Sequence, residues 1–388
     1  MAGAYDVVVV GAGIGGLTVA ALLSARGLNA CVLERQSQVG GCIGRVEFSG
    51  LEFEPGMGVY TSFGANEIYQ RIFAQLPVDV PETSLVTRPY VVRTMDGTDV
   101  RLVDEEEARF PQFSSAVATA ALARARGPLY EIRGGPAMIA ERLAESIKRS
   151  GGTVRLNTPV LRLAYDSSGG AAGVDLLSGE TVVAKRAVIS NLTIWDTYGK
   201  LVGLNRTPSE IRKQLNSLHG TGAYVVYATI REPAIARLPS ERLLVAAQPR
   251  AEEDDWFTEF TIAIQGNTAT LTSATDVNQW FTYHASEEDF EESDQAALEL
   301  FWSKLHAAVP ELGGDIEIIE TANPRMYYEL TRRKLGMILS PQPPISIPSL
   351  RTSVPNLFII SDTVSPSPDL ASVAEAACML AGSHSTNQ

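Results

Sequence analysis

At 388 residues, with 45% hydrophobic residues and a mean hydropathy of +0.02, the chain is long enough for two domains around a substantial core. Its 45 acidic against 32 basic residues leave a formal net charge of −13, which disfavours nucleic acid and anionic lipid as partners because both would be repelled. Three cysteines (Cys31, Cys42, Cys378) and four scattered histidines (His219, His284, His306, His384) give neither a disulfide framework nor ligand spacing, so no metal is expected and a reducing cytoplasm fits.

The N-terminus carries the strongest signal. Val7 to Val10 reads as a buried strand and Leu17 to Ala25 as a helix. Between them Gly11-Ala12-Gly13-Ile14-Gly15-Gly16 fits GxGxxG. A second strand, Asn29 to Leu33, ends at Glu34, close to the roughly 20-residue spacing of a dinucleotide fingerprint. Gly11 permits the tight turn, Gly13 close approach of backbone to a pyrophosphate, and Gly16 helix–strand packing. The helix N-terminus offers N–H groups to the phosphates, and Glu34 can accept the ribose hydroxyls. The run from Val7 to Leu23 is nearly uncharged, but its glycines and the absence of a basic cluster before it argue against a membrane anchor or signal peptide.

Gly40-Gly41-Cys42-Ile43-Gly44 is a second glycine-rich loop. Arg45 to Phe48 and Leu51 to Glu54 form a hairpin turned at Ser49-Gly50, closed by Pro55-Gly56-Met57-Gly58. Residues 61 to 130 mix helix with short strands such as Tyr90 to Arg93. Gly134-Gly135-Pro136 precedes an amphipathic helix, Ala137 to Arg149, followed by a strand from Thr153 to Leu156. A polar hairpin through Asp166 to Gly173 leads to a strand from Val182 to Ile189. Thr221 to Glu232 and Glu259 to Thr275 suggest a separate, more antiparallel sheet. Asp289 to Val309 is expected as a helix, Leu357 to Ile360 as a buried strand, and Leu370 to Ala381 as a closing helix. The acidic runs Asp104 to Glu107 and Glu287 to Asp294 read as solvated faces. The pattern predicts an α/β protein. A Rossmann-like nucleotide-binding domain, discontinuous in sequence (1–60, 130–195, 350–388), is joined to a substrate domain (61–129, 196–349) with a mixed or antiparallel sheet and helices.

These blocks, in this order, resemble the FAD-dependent phytoene desaturase and carotenoid isomerase group of the amine-oxidase-like flavoprotein superfamily. The likeness is carried by Val7 to Gly41 with Glu34-Arg35, by Gly134-Gly135 through Leu156-Asn157-Thr158-Pro159-Val160, and by Ala187 to Asn191. The last block runs from Asn356-Leu357-Phe358 through Asp362-Thr363 to Val373-Ala374-Glu375. The resemblance covers about a third of the chain and implies FAD as cofactor. It implies that Gly11, Gly13, Ile14, Gly15 and Gly16 pack the pyrophosphate, with Glu34 and Arg35 at the adenosine ribose. Gly40, Gly41 and Cys42 line the passing cofactor, and Gly56 and Met57 lie beside the flavin. Val160 meets adenine through its backbone, Asn191 belongs to the cofactor site, and Asp362 meets the ribityl or pyrophosphate region. Val373 sits on a helix whose N-terminus faces the anionic side of a reduced flavin.

The chain also departs from the group. Cys42 stands where an arginine or a small residue is usual, and Arg45 is the candidate for the missing positive charge; Cys42 itself reads as an inert thiol. Ser361, Ser367, Asp369 and Ser372 stand where glycine is expected, with Asp369 read as a helix cap. A shorter segment between Tyr60 and Gly134 makes a smaller polyene, isoprenoid or biosynthetic intermediate comparable in standing to a full carotenoid. Substrate-side candidates are Tyr60, also the weak catalytic candidate, with Tyr224, Tyr227, Trp280, Tyr283, His284, Arg325, Tyr327 and Tyr328. The leading reading is an FAD-dependent oxidoreductase acting on a hydrophobic small molecule, soluble and compatible with peripheral membrane contact. A redox-neutral isomerase or cyclase, a non-enzymatic GDI-like lipid-binding protein and an amine oxidase remain open. The sequence leaves the catalytic base, electron acceptor and oligomeric state undetermined.

Overall fold

The computed structural model describes residues 4–56, 58–86, 90–100, 128–217, 221–246, 257, 259–281, 287–333, 336, 350–365 and 369–385. Met57 and Tyr283 therefore lie outside the described residues, as do Ser367, His219, His284 and the acidic run from Asp104 to Glu107.

The chain opens with β1 (Ala4–Val10), α1 (Ile14–Ala25) and β2 (Ala30–Leu33). The hairpin β3 (Val46–Phe48) and β4 (Leu51–Phe53) follows, then α2 (Ile68–Phe73) and the strands β5 (Thr83–Val86), β6 (Val91–Thr94), β7 (Asp99–Val100) and β8 (Leu129–Ile132). Next come α3 (Ala137–Arg149), with the bounds its apolar stripe predicts, and β9 (Thr153–Arg155), β10 (Val160–Tyr165), β11 (Ala171–Leu176) and β12 (Thr181–Ser190). After helical turns through Gly203 come α4 (Ser209–Ser217), β13 (Thr221–Ile230), β14 (Arg242–Ala246), β15 (Glu259–Gln265), β16 (Thr268–Asp276) and α5 (Glu287–Ala308). The chain ends with β17 (Ile316–Ala322), α6 (Pro324–Thr331), β18 (Leu357–Ile359) and α7 (Leu370–Ser385).

Two large sheets result. In the first, the order is β10-β11-β12-β1-β2-β9, with β18 also on β12. Its core pairs β12–β1, β1–β2, β2–β9 and β12–β18 are parallel, while β10–β11–β12 forms an antiparallel meander. Val7 to Val10 is buried on both faces, as central parallel strands require. Alternate residues feed opposite layers: Val7 and Val9 pack with α1, α2, α3 and α7, whereas Val8 and Val10 pack with Trp195, Tyr198 and Leu201.

The second sheet, β17-β13-β16-β15-β14-β6-β7, is antiparallel except where β14 meets β6. One face of β13, carrying Tyr224, Val226 and Ala228, packs on α5 through Phe301 and Leu305. The other, carrying Ala223, Val225 and Tyr227, packs against Phe53 of the β3–β4 hairpin and Tyr327 of α6. That second face meets the hairpin that follows the glycine-rich loop, so it is turned toward the nucleotide-binding unit.

Candidate active site

The turn after β1 is held by very close backbone packing. A Cβ added at Gly16 would sit 2.4 Å from the Gly11 carbonyl oxygen, and one at Gly13 2.5 Å from Asn191 Oδ1. Gly15 is equally confined, between Ile360 and Val373 at 2.7 and 2.8 Å. Asn191, at the end of β12, knots three segments together. Its backbone N–H donates to Val10 O at 2.8 Å and its amide Nδ2 donates to Ile360 O at 2.7 Å. The result is a bare helix N-terminus, with Gly13 as cap, no side-chain cap and no acid in the first turn of α1. A diphosphate fits such a cradle because it meets N–H groups and the positive end of the helix dipole with no side chain in the way.

Glu34 lies at the end of β2. Its Oε2 accepts from Ala12 N and its Oε1 from Gln36 N, each at 2.8 Å. These bonds fix the carboxylate beside the phosphate turn, and each oxygen keeps a second lone pair for a hydroxyl donor. The strand before Val160 is laced to the same place: Thr158 N donates to Glu34 O at 2.7 Å and Asn157 N to Gln36 O at 2.9 Å. Gly40 forms a bridge with Gly13, and Gly40 and Gly41 take φ of 112° and 58°, which brings the second glycine loop onto the first. At the far side, Val373 of α7 is buried against Gly15, and Asp369 Oδ1 accepts from Ser372 N at 2.8 Å. Asp369 thus caps α7. Ser361, Asp369 and Ser372 all keep negative φ, so the glycines expected there are not needed by the backbone.

Asp362 does not stand alone in the cofactor region. Arg333 reaches it with Nη2 at 2.6 Å and Nη1 at 3.4 Å, and the same Nη1 lies 3.8 Å from Cys42 Sγ. Cys42 is exposed, yet its surroundings crowd the sulfur enough to raise its pKa; Arg333 offsets this only in part. A raised thiol pKa lowers the thiolate fraction on which cysteine reactivity depends. Arg45 is a correction: it is a part-exposed cation that pairs with Glu52 at 2.6 Å and Glu141 at 2.8 Å, so its charge is neutralised by the β3–β4 hairpin and α3. Arg35 donates to the carbonyls of Glu329 and Leu330, joined there by Gln36, so the end of α6 is tied to the end of β2.

The substrate-side residues divide. Tyr224 is a second correction. It is fully buried, stacked on Trp280 at 5.5 Å and packed on Phe257 and Phe301, and is a core residue rather than a cleft wall. Three positions on, Tyr227 is buried on the opposite face of β13, 4.9 Å from Phe48 and 5.2 Å from Phe53 by ring centroid. Burial raises the pKa of both Tyr227 and Tyr327, whose hydroxyls share a hydrogen bond, and Tyr327 lies within electrostatic reach of Cys42. Both phenols are neutral donors at physiological pH. The sequence offers Tyr224 and Tyr227 alike as substrate-side candidates, and the structure separates them onto opposite faces of β13.

Tyr328 stands edge-on to Phe281, 6.0 Å away, between the cations of Lys200 and Arg332. Arg325 shares its helix three residues earlier, a spacing that sets both on one side of α6. Tyr60 is bridged through its backbone to Tyr130, and its hydroxyl donates to Glu54 Oε1 at 2.6 Å. Glu54 is 9% exposed and lines a polar cleft of about 370 Å³ beside Gly56's loop and Gly134-Gly135. Burial raises its carboxyl pKa, against the opposing pull of Tyr60 and Arg242. Among the described residues no cluster could hold a metal ion, and no helix is long and apolar enough to cross a membrane.

The family model of flavin-containing amine oxidoreductases matches residues 100–327, and that of the NAD(P)-binding Rossmann-like domain matches residues 9–76. The chain belongs to the flavin-containing amine oxidoreductase family. It is an FAD-dependent oxidoreductase of phytoene desaturase-like type, and the glycine cradle and Glu34 fit that cofactor. Human all-trans-retinol 13,14-reductase is 22% identical over 457 aligned positions, covering 82% of this chain and 74% of that protein. The carotenoid 3,4-desaturase of Haloarcula japonica is 30% identical over 108, covering 28% of this chain and 22% of its own. In fold, the chain is similar to an oxidoreductase from Methanosarcina mazei, with a TM-score of 0.67 at 16% identity, covering 96% of this chain and 99% of that one. The GDI-like, non-enzymatic alternative falls with this assignment.

Proposed function

We propose that the enzyme transfers a hydride between FAD and a hydrophobic polyene or isoprenoid, forming or removing a carbon–carbon double bond. One observation carries this reading. The buried apolar layer of Phe53, Ala223, Val225 and Tyr227 continues through Tyr327 to Cys42, which Arg333 joins to Asp362, so apolar and aromatic side chains adjoin the second glycine-rich loop. The names of the retinol reductase and carotenoid desaturase relatives support the substrate class.

Bound FAD supplies the hydride-accepting and hydride-donating ring position, and the protein supplies orientation and electrostatics. In this reading Gly11, Gly13, Ile14, Gly15 and Gly16 hold the diphosphate. Glu34 binds the adenosine ribose with Arg35 beside it, and Val160 borders the adenine. Gly40, Gly41, Cys42, Asn191, Asp362 and Val373 border the remainder, with Gly56 toward the ring. Residues 1–60, 130–195 and 350–388 form the FAD-binding domain, and 61–129 with 196–349 the substrate-binding domain. Arg325, Tyr328 and Tyr60 border the substrate path, and Tyr227 and Tyr327 exclude water from it. Tyr60, held by Glu54, is the group able to pass a proton beside the reacting carbons.

A substrate of this class partitions into lipid, so delivery from a neutral bilayer surface without insertion accompanies the reading. The test is anaerobic mixing of the flavin-loaded enzyme with a retinoid or short carotenoid. Bleaching of the flavin bands supports hydride transfer. Geometric isomerisation of the polyene without bleaching would replace it with redox-neutral chemistry, and bleaching by a simple amine alone would replace the substrate class.

A further inference from the structure

The first cofactor loop carries no cation of its own. Cys42 follows the paired glycines, Arg45 is spent on Glu52 and Glu141, and Arg35 is exposed and held by the carbonyls at the end of α6. Around the same place stand the carboxylates of Glu34, Asp362 and Asp369. A diphosphate brings two further negative charges, and a helix N-terminus offers only about half a positive charge. In an acidic chain with a net charge of −13 the general field does not help.

The cation at this spot arrives from elsewhere in the chain. Arg333 is only 15% exposed, and it joins Cys42 on the first loop to Asp362 on the last across 291 and 29 positions of sequence. Cys42 is two residues from Gly40, which is bridged to Gly13 of the phosphate turn, and a Cβ at Gly41 would stand 3.4 Å from the Gly13 Cα. A guanidinium touching Cys42 is therefore anchored to the loop that is bridged to the turn before α1. It also carries the forked donor geometry that phosphate oxygens match.

We propose that Arg333 is a cofactor-binding residue whose guanidinium, held between Cys42 and Asp362, binds the diphosphate of FAD and takes the place of the cation that the first loop lacks. The proposal rests on the FAD reading above and goes beyond it by assigning the anion-binding group to the segment after α6. The test uses the full chain stripped of cofactor, with ADP, adenosine and FAD as probes in binding titrations followed by thermal shift. In Arg333→Ala the affinities for ADP and FAD should fall at least tenfold while that for adenosine, which has no diphosphate, stays within about twofold. Arg333→Lys should keep most of the ADP affinity at low salt. The double variant Arg333→Ala with Asp362→Asn removes the stranded carboxylate and should remain as weak toward ADP as the single one.

Equal loss of ADP and adenosine would make Arg333 a merely structural residue and overturn the proposal. Unchanged ADP affinity, or recovery in the double variant, would do the same, the latter because Arg333 would then only neutralise Asp362. A wild-type chain that bound neither ADP nor FAD would instead bring down the FAD reading on which the proposal stands.

Discussion

Glu34 and Glu54 are two carboxylates of the candidate site, and their environments are opposite. Glu34 is held by backbone N–H groups of Ala12 and Gln36, an arrangement that suits an acceptor for sugar hydroxyls. Removing it leaves the fold, because its own backbone N–H still bonds Arg155 O at 2.9 Å. Glu34→Ala should give folded protein with little bound flavin by absorbance; full flavin occupancy in that variant would contradict the assignment. Glu54 is buried, and burial raises its carboxyl above the usual value of about 4.3. A group that holds its proton more tightly when folded contributes most below the unfolded pKa, and that contribution is lost as pH rises through the folded one. Urea unfolding should therefore show the wild type losing stability from about pH 4 toward neutrality relative to Glu54→Gln, whose side chain cannot ionise. Parallel pH profiles for the two would refute the burial argument.

At the scale of elements, the first sheet was readable because its signals are local. Four valines, a GxGxxG turn and an acid after the second strand lie within about 30 residues, and each has its own backbone reason. The second sheet was readable as antiparallel strands but not as faces. Both sides of β13 are buried, one on α5 and one on the hairpin, so no alternation of polarity marks which tyrosine meets the hairpin. That is why the sequence offers Tyr224 and Tyr227 as equal candidates, and only the fold separates them. Phe301, fully buried against Tyr224, Phe257 and Phe260, holds α5 on the far face. Phe301→Ala should cost about 3–5 kcal/mol in denaturant unfolding while leaving flavin affinity unchanged; a loss below about 1 kcal/mol would deny it a core role. On the opposite edge of the same sheet, Arg93 is 3% exposed and pairs with Asp99 at 2.6 Å and Glu311 at 2.8 Å. Its partners are part-exposed and can be resolvated, so Arg93→Ala should cost about 2 kcal/mol, short of the full penalty of a buried pair. A variant as stable as the wild type would contradict this.

For the molecule as a whole, the site is assembled from segments that are far apart in sequence. The phosphate turn, the end of β12 with Asn191, the strand before Ile360 and the start of α7 meet within one shell of contacts. The end of α6 is drawn onto the same unit by Arg35, Gln36 and Arg333. The family blocks announce the first group because each carries its own glycines or turn residues. Arg333 carries no local pattern, and only the folded chain reveals its neighbours. The central claim joins this cofactor cradle to the apolar face of the second sheet, and anaerobic single-turnover spectroscopy of the flavin-loaded enzyme tests it most directly. The account expects the flavin bands to bleach on addition of a retinoid or short carotenoid, in step with a change in the polyene's own double-bond count by mass. Flavin bands that stay unbleached while the polyene is returned unaltered, with bleaching only by a small polar amine, would contradict it.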